Sequence, residues 1–161
     1  MLAAIPHLRA FAMSLCGDVD QADDLVQEAI LRGLSHLSQF EPGTNMRAWL
    51  FTILRNQFHT TYRKRRREVQ DPAGVIANGV PVAPEQVGHL DLRDLWSTLQ
   101  KLPAEQREAL LLIGAEGLAY EEAAAVCGIA IGTIKSRVNR GRKRLAELMA
   151  VEDITNTADH A

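Results

Sequence analysis

Residues 70–88, QDPAGVIANGVPVAPEQVG, interrupt the chain near its midpoint. They include three prolines, three glycines and no Lys or Arg, so a long helix cannot run through them. A surface loop within one domain is the alternative, but loops of this length are uncommon there. We predict a flexible linker at residues 69–90 that joins domains at residues 1–68 and 91–150, with a polar, frayed tail at residues 151–161.

The composition of the chain favours packed helices. Of its 161 residues, 47% are hydrophobic but only 5% are aromatic, which is unlike a β-sandwich or barrel. No apolar run approaches the ~18 residues that a membrane span needs, and the N-terminus has no export signal. Cys16 and Cys127 lie too far apart in sequence to suggest a metal motif or a disulfide framework. We expect an all-α cytoplasmic protein.

Apolar residues recur at helical spacing in the first domain and predict helices at residues 2–16, 20–38 and 46–66. Asp18 or Asp20 is the expected N-cap of the second helix. The buried stripe of that helix is predicted to comprise Ala22, Leu25, Val26, Ala29, Ile30, Gly33, Leu34 and Leu37. The buried side of the third is predicted to comprise Met46, Trp49, Leu50, Ile53, Leu54 and Phe58.

The second domain is predicted to have four helices. An amphipathic helix carries Leu92, Leu95, Trp96, Leu99 and Leu102, and another begins at Pro103 and stops near Gly117. A short helix at residues 120–127, a turn at 128–130 and a long helix at 131–149 follow. A short helix, a tight turn with glycine and a basic helix together indicate a helix-turn-helix. The inward side of the last helix is predicted to comprise Ile131, Ile134, Val138 and Leu145.

Cations are concentrated in two clusters, although the formal net charge is only −2. Residues 63–67 are five consecutive cations, and residues 135–144 contain six: Lys135, Arg137, Arg140, Arg142, Lys143 and Arg144. Each cluster follows an apolar-periodic stretch. Because local charge governs contacts within the Debye length of about 8–10 Å, two such clusters favour a polyanionic partner.

Three stretches resemble the extracytoplasmic-function (ECF) group of bacterial sigma factors. Residues 22–34, ADDLVQEAILRGL, resemble the helix that binds core RNA polymerase, and residues 47–58, RAWLFTILRNQF, resemble the helix that engages the promoter −10 element. Residues 120–145, YEEAAAVCGIAIGTIKSRVNRGRKRL, resemble the helix-turn-helix that reads the −35 element. The second stretch and its basic run also resemble the alphaproteobacterial general stress response branch.

In a recognition helix that enters the major groove, one side meets base edges. Thr133, Ser136, Arg137 and Arg140 share such a side, whereas Lys135, Arg142, Lys143 and Arg144 are expected to contact phosphates. The resemblance places a captured −10 base at the loop of residues 40–45. The expected −10 contacts are Phe40, Asn45, Arg47, Asn56 and His59, with the backbone held by the basic run that includes Arg63, Lys64 and Arg66.

The resemblance implies three partners: RNA polymerase core enzyme, promoter DNA and an anti-sigma factor. Core polymerase is expected to bind an acidic helix face with an apolar contact. Its residues are Asp23, Asp24, Gln27, Glu28 and Leu31. No cofactor, metal, membrane or small-molecule substrate is expected.

Other functions compete with a promoter-specific sigma factor. A sigma-like adaptor would sequester an anti-sigma factor without binding DNA, but such adaptors carry a further receiver domain, and only about ten residues follow the last predicted helix. A one-domain helix-turn-helix regulator would leave residues 22–34 unexplained. An enzyme is disfavoured because the five histidines make no ligand spacing and no glycine-rich phosphate loop occurs.

Overall fold

The computed structural model describes residues 1–68 and 90–158, in which the regular structure is helical. The described residues form two compact units, residues 1–68 with Ala125–Gly128 and residues 90–124 with residues 129–158. The prediction of an all-α chain with two helical domains is confirmed. The predicted linker falls almost wholly outside the described residues, so its flexibility stays a prediction.

The first unit is a bundle of three helices. A 3₁₀ turn at Leu2–Ala4 leads into α1 (Ile5–Cys16), which is followed by α2 (Val19–Ser35) and α3 (Met46–Glu68). Each of the three helices packs against the other two. The side chain of Asp18 accepts a hydrogen bond from the Gln21 backbone N–H at 2.9 Å, so Asp18 is the N-cap of α2.

The core of this unit differs from the predicted stripes at several positions. Phe51, which was not assigned to the buried side of α3, is fully buried, and its ring centroid lies 5.0 Å from that of Phe11. Leu34 and Leu37 were predicted to be buried but are about half exposed. The spacing of apolar residues indicates which side of a helix is buried. How far along the helix that side is buried depends on the neighbouring helices.

The second unit begins with α4 (Leu90–Gln100) and α5 (Ala104–Leu110). Pro103 is the N-cap of α5, and one π-helical turn continues α5 over Leu111–Ala115, where the Glu116 N–H donates to the Leu111 carbonyl at 2.9 Å. The helix-turn-helix follows with α6 (Tyr120–Cys127) and α7 (Ile131–Ala158). Of the predicted inward residues of α7, Ile134 and Val138 are fully buried but Ile131 is exposed, so that part of the prediction is wrong.

Backbone geometry at both ends of α6 fits the predicted motif. Gly128 adopts φ +66°, a left-handed conformation that glycine reaches without a Cβ clash, and the Ile129 N–H donates to the Ala124 carbonyl at 3.1 Å. At the other end, Ala119 has no side chain that could cap the helix. The Glu122 carboxylate accepts a hydrogen bond from the backbone N–H of Ala119 at 3.1 Å, as in one half of a capping box.

The last helix was predicted to end at residue 149, but α7 continues through residues 150–158. Glu152 accepts a hydrogen bond from the Lys101 ammonium at 2.6 Å and another from the Thr98 hydroxyl at 2.9 Å. Thr98 is itself fully buried on α4. A contact across about fifty residues of sequence therefore holds the extension, and the local composition of the tail cannot indicate it.

We predict that the C-terminal turns of α7 loosen in acid. The hydrogen bonds from Lys101 and Thr98 lower the pKa of Glu152, so this contact stabilises the fold above the ordinary glutamate pKa of about 4.3 and is lost as pH falls through the lowered value. Amide exchange at residues 150–158 should accelerate as pH falls from about 5 to about 3, after correction for the intrinsic rate. Glu152→Gln should show fast exchange already at neutral pH. Equal pH profiles for this variant and the parent chain would contradict the assignment.

Candidate nucleic-acid and polymerase interfaces

The outer surface of α7 is basic. Most of the predicted DNA contacts on this helix are exposed: Thr133, Lys135, Arg140, Arg142, Lys143 and Arg144. Asn139 is also exposed on this surface and was missing from the predicted set, because an isolated Asn carries no charge signal. The amide group of an asparagine side chain can form two hydrogen bonds with adenine. The structure therefore brings the exposed cations together on one continuous helix.

Two of the predicted base contacts, Ser136 and Arg137, are partly withdrawn from solvent. The Arg137 side chain is only 20% exposed, and its Nη2 lies 3.7 Å from Oε2 of Glu105 on α5. The Arg144 side chain, by contrast, is 57% exposed and pairs with Glu147 of its own helix at 3.5 Å. Arg137 thus differs from the other arginines of the predicted set both in exposure and in partner.

An aromatic ring lies beneath one cation of the helix-turn-helix. The Lys135 ammonium is 5.5 Å from the ring centroid of Tyr120, the first residue of α6. This is a cation–π distance, worth about 0.5–1 kcal/mol at an exposed site. The contact joins the two helices of the motif and restricts the directions in which Lys135 can extend.

The loop before α3 is folded onto that helix. The Phe40 and Trp49 rings lie 5.3 Å apart in a tilted arrangement, and Asn45 Oδ1 accepts the backbone N–H groups of Arg47 and Ala48 at 3.0 and 3.3 Å. Asn45 was predicted only as a −10 contact. In the structure its side chain is the N-cap of α3. An Asn followed by an apolar-periodic helix carries that signal in the sequence.

The remaining −10 candidates on α3 do not share one side. Arg47 and Asn56 are nine residues apart, about two and a half turns, which places them on opposite sides of the helix. His59 is half-buried and its ring lies 5.3 Å from that of Phe58. The exposed cations of α3 are instead near its C-terminal end, at Arg63, Lys64, Arg65 and Arg67. The side chain of Arg66 lies outside the part of the chain that the structure describes.

The predicted polymerase-binding residues share the outer side of α2, but their charges are not equivalent. Asp23 forms an ion pair with Arg9 at 2.9 Å, and Glu28 forms one with Arg32 at 2.8 Å. Asp24, Gln27 and Leu31 are exposed. Leu34 and Leu37 extend the exposed apolar surface beyond Leu31.

A groove of about 270 Å³ runs between α2 and α3. Asp24 and Glu28 stand on the α2 side, and Phe58, Tyr62 and Arg65 stand on the α3 side. The Phe58 and Tyr62 rings stack at 5.9 Å. The groove therefore combines acidic, aromatic and basic groups, which suits a protein surface better than a uniformly charged polymer.

The described residues contain neither a metal-binding cluster nor a membrane-spanning helix. Within residues 1–68 and 90–158, no group of His, Cys, Asp and Glu is arranged to hold a metal ion. No helix in those stretches combines the length and hydropathy that crossing a bilayer needs.

Comparison with known proteins identifies the two units. The Sigma-70 region 2 family matches residues 2–68, and the Sigma-70, region 4 family matches residues 92–145. The ECF RNA polymerase sigma factor EcfG of Rhodopseudomonas palustris (strain TIE-1) is 57% identical over 152 residues, which cover 94% of this chain and 84% of the relative. The chain belongs to the ECF sigma factors.

Solved structures are also similar to this sigma factor. The sigma factor RpoE of Bartonella quintana, in complex with the anti-sigma factor NepR, matches with a TM-score of 0.83 and 55% identity over 93% of this chain and 94% of that one. CnrH in complex with the cytosolic domain of CnrY matches with a TM-score of 0.63 and 30% identity, over 89% and 80% of the two chains. The resemblance seen in the sequence to the ECF group is confirmed.

We predict that Asn45→Ala lowers the free energy of unfolding of this sigma factor by about 1 kcal/mol, because two N–H groups at the start of α3 lose their acceptor. Asn45→Asp should retain most of the stability, since a carboxylate caps equally well. Urea unfolding followed by circular dichroism measures both variants. If the Ala and Asp variants are equally destabilised, the cap does not act as described.

Proposed function

We propose that this sigma factor directs core RNA polymerase to specific promoters in the cytoplasm, with α6 and α7 binding the −35 element and α3 and its preceding loop binding the −10 element. One observation carries the proposal. The exposed cations of α7 point away from a fully buried apolar side, within the unit that matches region 4. Such a helix can enter the major groove while its other side stays in the protein core.

The −35 element would be read by chemistry at base edges. Arg140 can donate two hydrogen bonds to O6 and N7 of guanine, and Thr133 can donate or accept one. The other exposed cations, Lys135, Arg142, Lys143 and Arg144, would neutralise phosphates. Phosphate contacts set the register of the helix on the duplex without reading its sequence.

The −10 element requires strand opening, and this chain would assist it by binding the displaced strand. Removing a base from the stack costs a few kcal/mol, and binding of that base to aromatic and polar groups can offset this cost. The exposed cations of residues 63–67 are suited to the backbone of that strand, and their contact should weaken steeply with salt. The loop of residues 40–45, which Phe40 and Asn45 hold against α3, is the proposed place for the captured base.

Core polymerase would bind the outer side of α2. Asp24 is the best-placed charge for a basic partner, because Asp23 and Glu28 already pair with Arg9 and Arg32. Leu31 would supply apolar contact beside it. The combination of charge and apolar area is typical of a specific protein interface.

An anti-sigma factor is the proposed inhibitor, and the general stress response is the proposed setting. Two of the similar solved structures are complexes, of RpoE with the anti-sigma factor NepR in one and of CnrH with the cytosolic domain of CnrY in the other. The 57% identity to EcfG and the 55% identity to RpoE of the NepR complex support a NepR-like inhibitor of this chain.

In vitro transcription tests the proposal. Core polymerase, this chain and a promoter library sequenced by start site should give initiation at a restricted set of promoters that share two elements. Core polymerase alone provides the baseline. A sigma-like adaptor would bind the inhibitor yet leave the start sites at that baseline, and this result would overturn the proposal.

We predict that Asp24→Arg weakens assembly with core polymerase by tenfold or more, because it places a cation against a basic partner surface. Asp153→Arg makes the same charge change at an exposed position of α7 and serves as the control. Fluorescence anisotropy of labelled sigma factor titrated with core polymerase measures both. Equal affinities for the two variants would remove Asp24 from the interface.

We predict that Arg140→Ala and Lys143→Ala affect promoter binding in different ways. The first should cost about 1–3 kcal/mol of discrimination at one −35 base pair, whereas the second should weaken all sequences alike and reduce the salt slope by about 1. Holoenzyme affinity for matched and single-substitution promoters, measured at several salt concentrations, separates the effects. Sequence-independent losses in both variants would show that Arg140 reads no base.

A further inference from the structure

Arg137 occupies the protein-facing side of the recognition helix. It lies three residues after Ile134, which is fully buried, and four before Gly141, which is also buried. Residues three and four apart share one side of a helix. Arg144 lies seven residues later, on nearly the same side of α7, yet its side chain is 57% exposed against 20% for Arg137. The difference therefore reflects where Arg137 lies along α7, next to α5.

The Arg137 guanidinium is partly removed from water and has a carboxylate within ion-pair distance. Glu105 Oε2 lies 3.7 Å from Arg137 Nη2, and the Glu105 side chain is itself 71% exposed. Glu105 is in the first turn of α5. The pair therefore links the start of α5 to the middle of the recognition segment of α7.

A second contact lies one turn further along α7. Gly141 has no side chain, and a Cβ placed there would be 3.0 Å from Leu110 Cδ1 and 3.4 Å from Gln106 Cβ. The two helices thus approach closely at this point, and steric contact limits how far α7 can shift toward α5. Steric contact at Gly141 and the ion pair at Arg137 together limit the sliding and rotation of α7 on α5.

We propose that Glu105 is a positioning residue for −35 recognition that acts through Arg137, and that Arg137 orients the helix and does not read a base. Hydrogen bonds to base edges weaken steeply with distance and angle, so a small rotation of α7 would misplace Arg140 and Thr133 together. The inference rests on the proposed −35 function of α7. It assigns a role in DNA recognition to a residue of α5, outside the helix-turn-helix.

Charge reversal across the pair distinguishes positioning from DNA contact. Holoenzyme is reconstituted from core polymerase and each full-length variant, and its binding to a randomised duplex pool is read by sequencing and by affinity for the selected duplex. Glu105→Gln should weaken selected binding about two- to fivefold, the range of a partly exposed ion pair. Arg137→Glu should weaken it tenfold or more, and the double variant E105R/R137E should recover most of the loss and select the same sequence.

Arg144 and Glu147 provide the matched control, since they form an ion pair within α7 itself. The double variant R144E/E147R should stay impaired, because a phosphate contact is lost whichever residue carries the acid. Circular dichroism melting of every variant checks that the fold is retained, and Glu105→Gln remains informative if a charge reversal unfolds the domain.

The outcomes separate the inference from the function on which it rests. If wild-type holoenzyme selects a sequence but E105R/R137E recovers no binding, or Glu105→Gln leaves selected binding unchanged, Arg137 is not a positioning residue and the inference is overturned. If wild-type holoenzyme selects no sequence, the proposed function itself fails, and the inference falls with it.

Discussion

Burial of one side of α7 decides which of its cations can reach a ligand. Ile134 and Val138 are fully buried, and Gly141 lets Leu110 of α5 approach the helix backbone. With that side fixed, the cations at 135, 140 and 142–144 must face solvent. The basic surface of α7 is therefore a consequence of the packing behind it, and the strength of that packing limits how accurately the surface is presented.

In the first unit, too, burial of one part of a helix determines which charged side chains are exposed, and this holds for both α2 and α3. Leu50, Phe51 and Leu54 bury the first half of α3, while its last two turns carry exposed cations. One helix is thus part of the core at its start and a basic surface at its end. On α2, Ala22 and Val26 face inward and leave Asp24 and Gln27 outward, so acidic and basic surfaces stand on neighbouring helices with the groove between them.

The small net charge of the chain conceals these surfaces. A formal charge of −2 predicts no partner, but charges separated by more than a Debye length act almost independently in physiological salt. Local pairing refines the picture further. Arg9 pairs with Asp23 and Glu28 with Arg32, so two of the acids of α2 are already neutralised and the outward charge depends more on Asp24 than the sequence suggests.

The sequence by itself determined the helices, the helix-turn-helix and the basic clusters, because these depend on residue spacing within a few turns. Asp18, Gly128 and the buried stripe at Ile134 and Val138 are local signals of this kind, and the structure agrees with each of them. Only the tertiary structure decided the burial of Phe51 against Phe11, the extension of α7 past residue 150 and the pairing of Arg137 with Glu105. Each of these depends on contacts between residues distant in sequence, and the charge or hydropathy of one partner does not reveal the identity of the other.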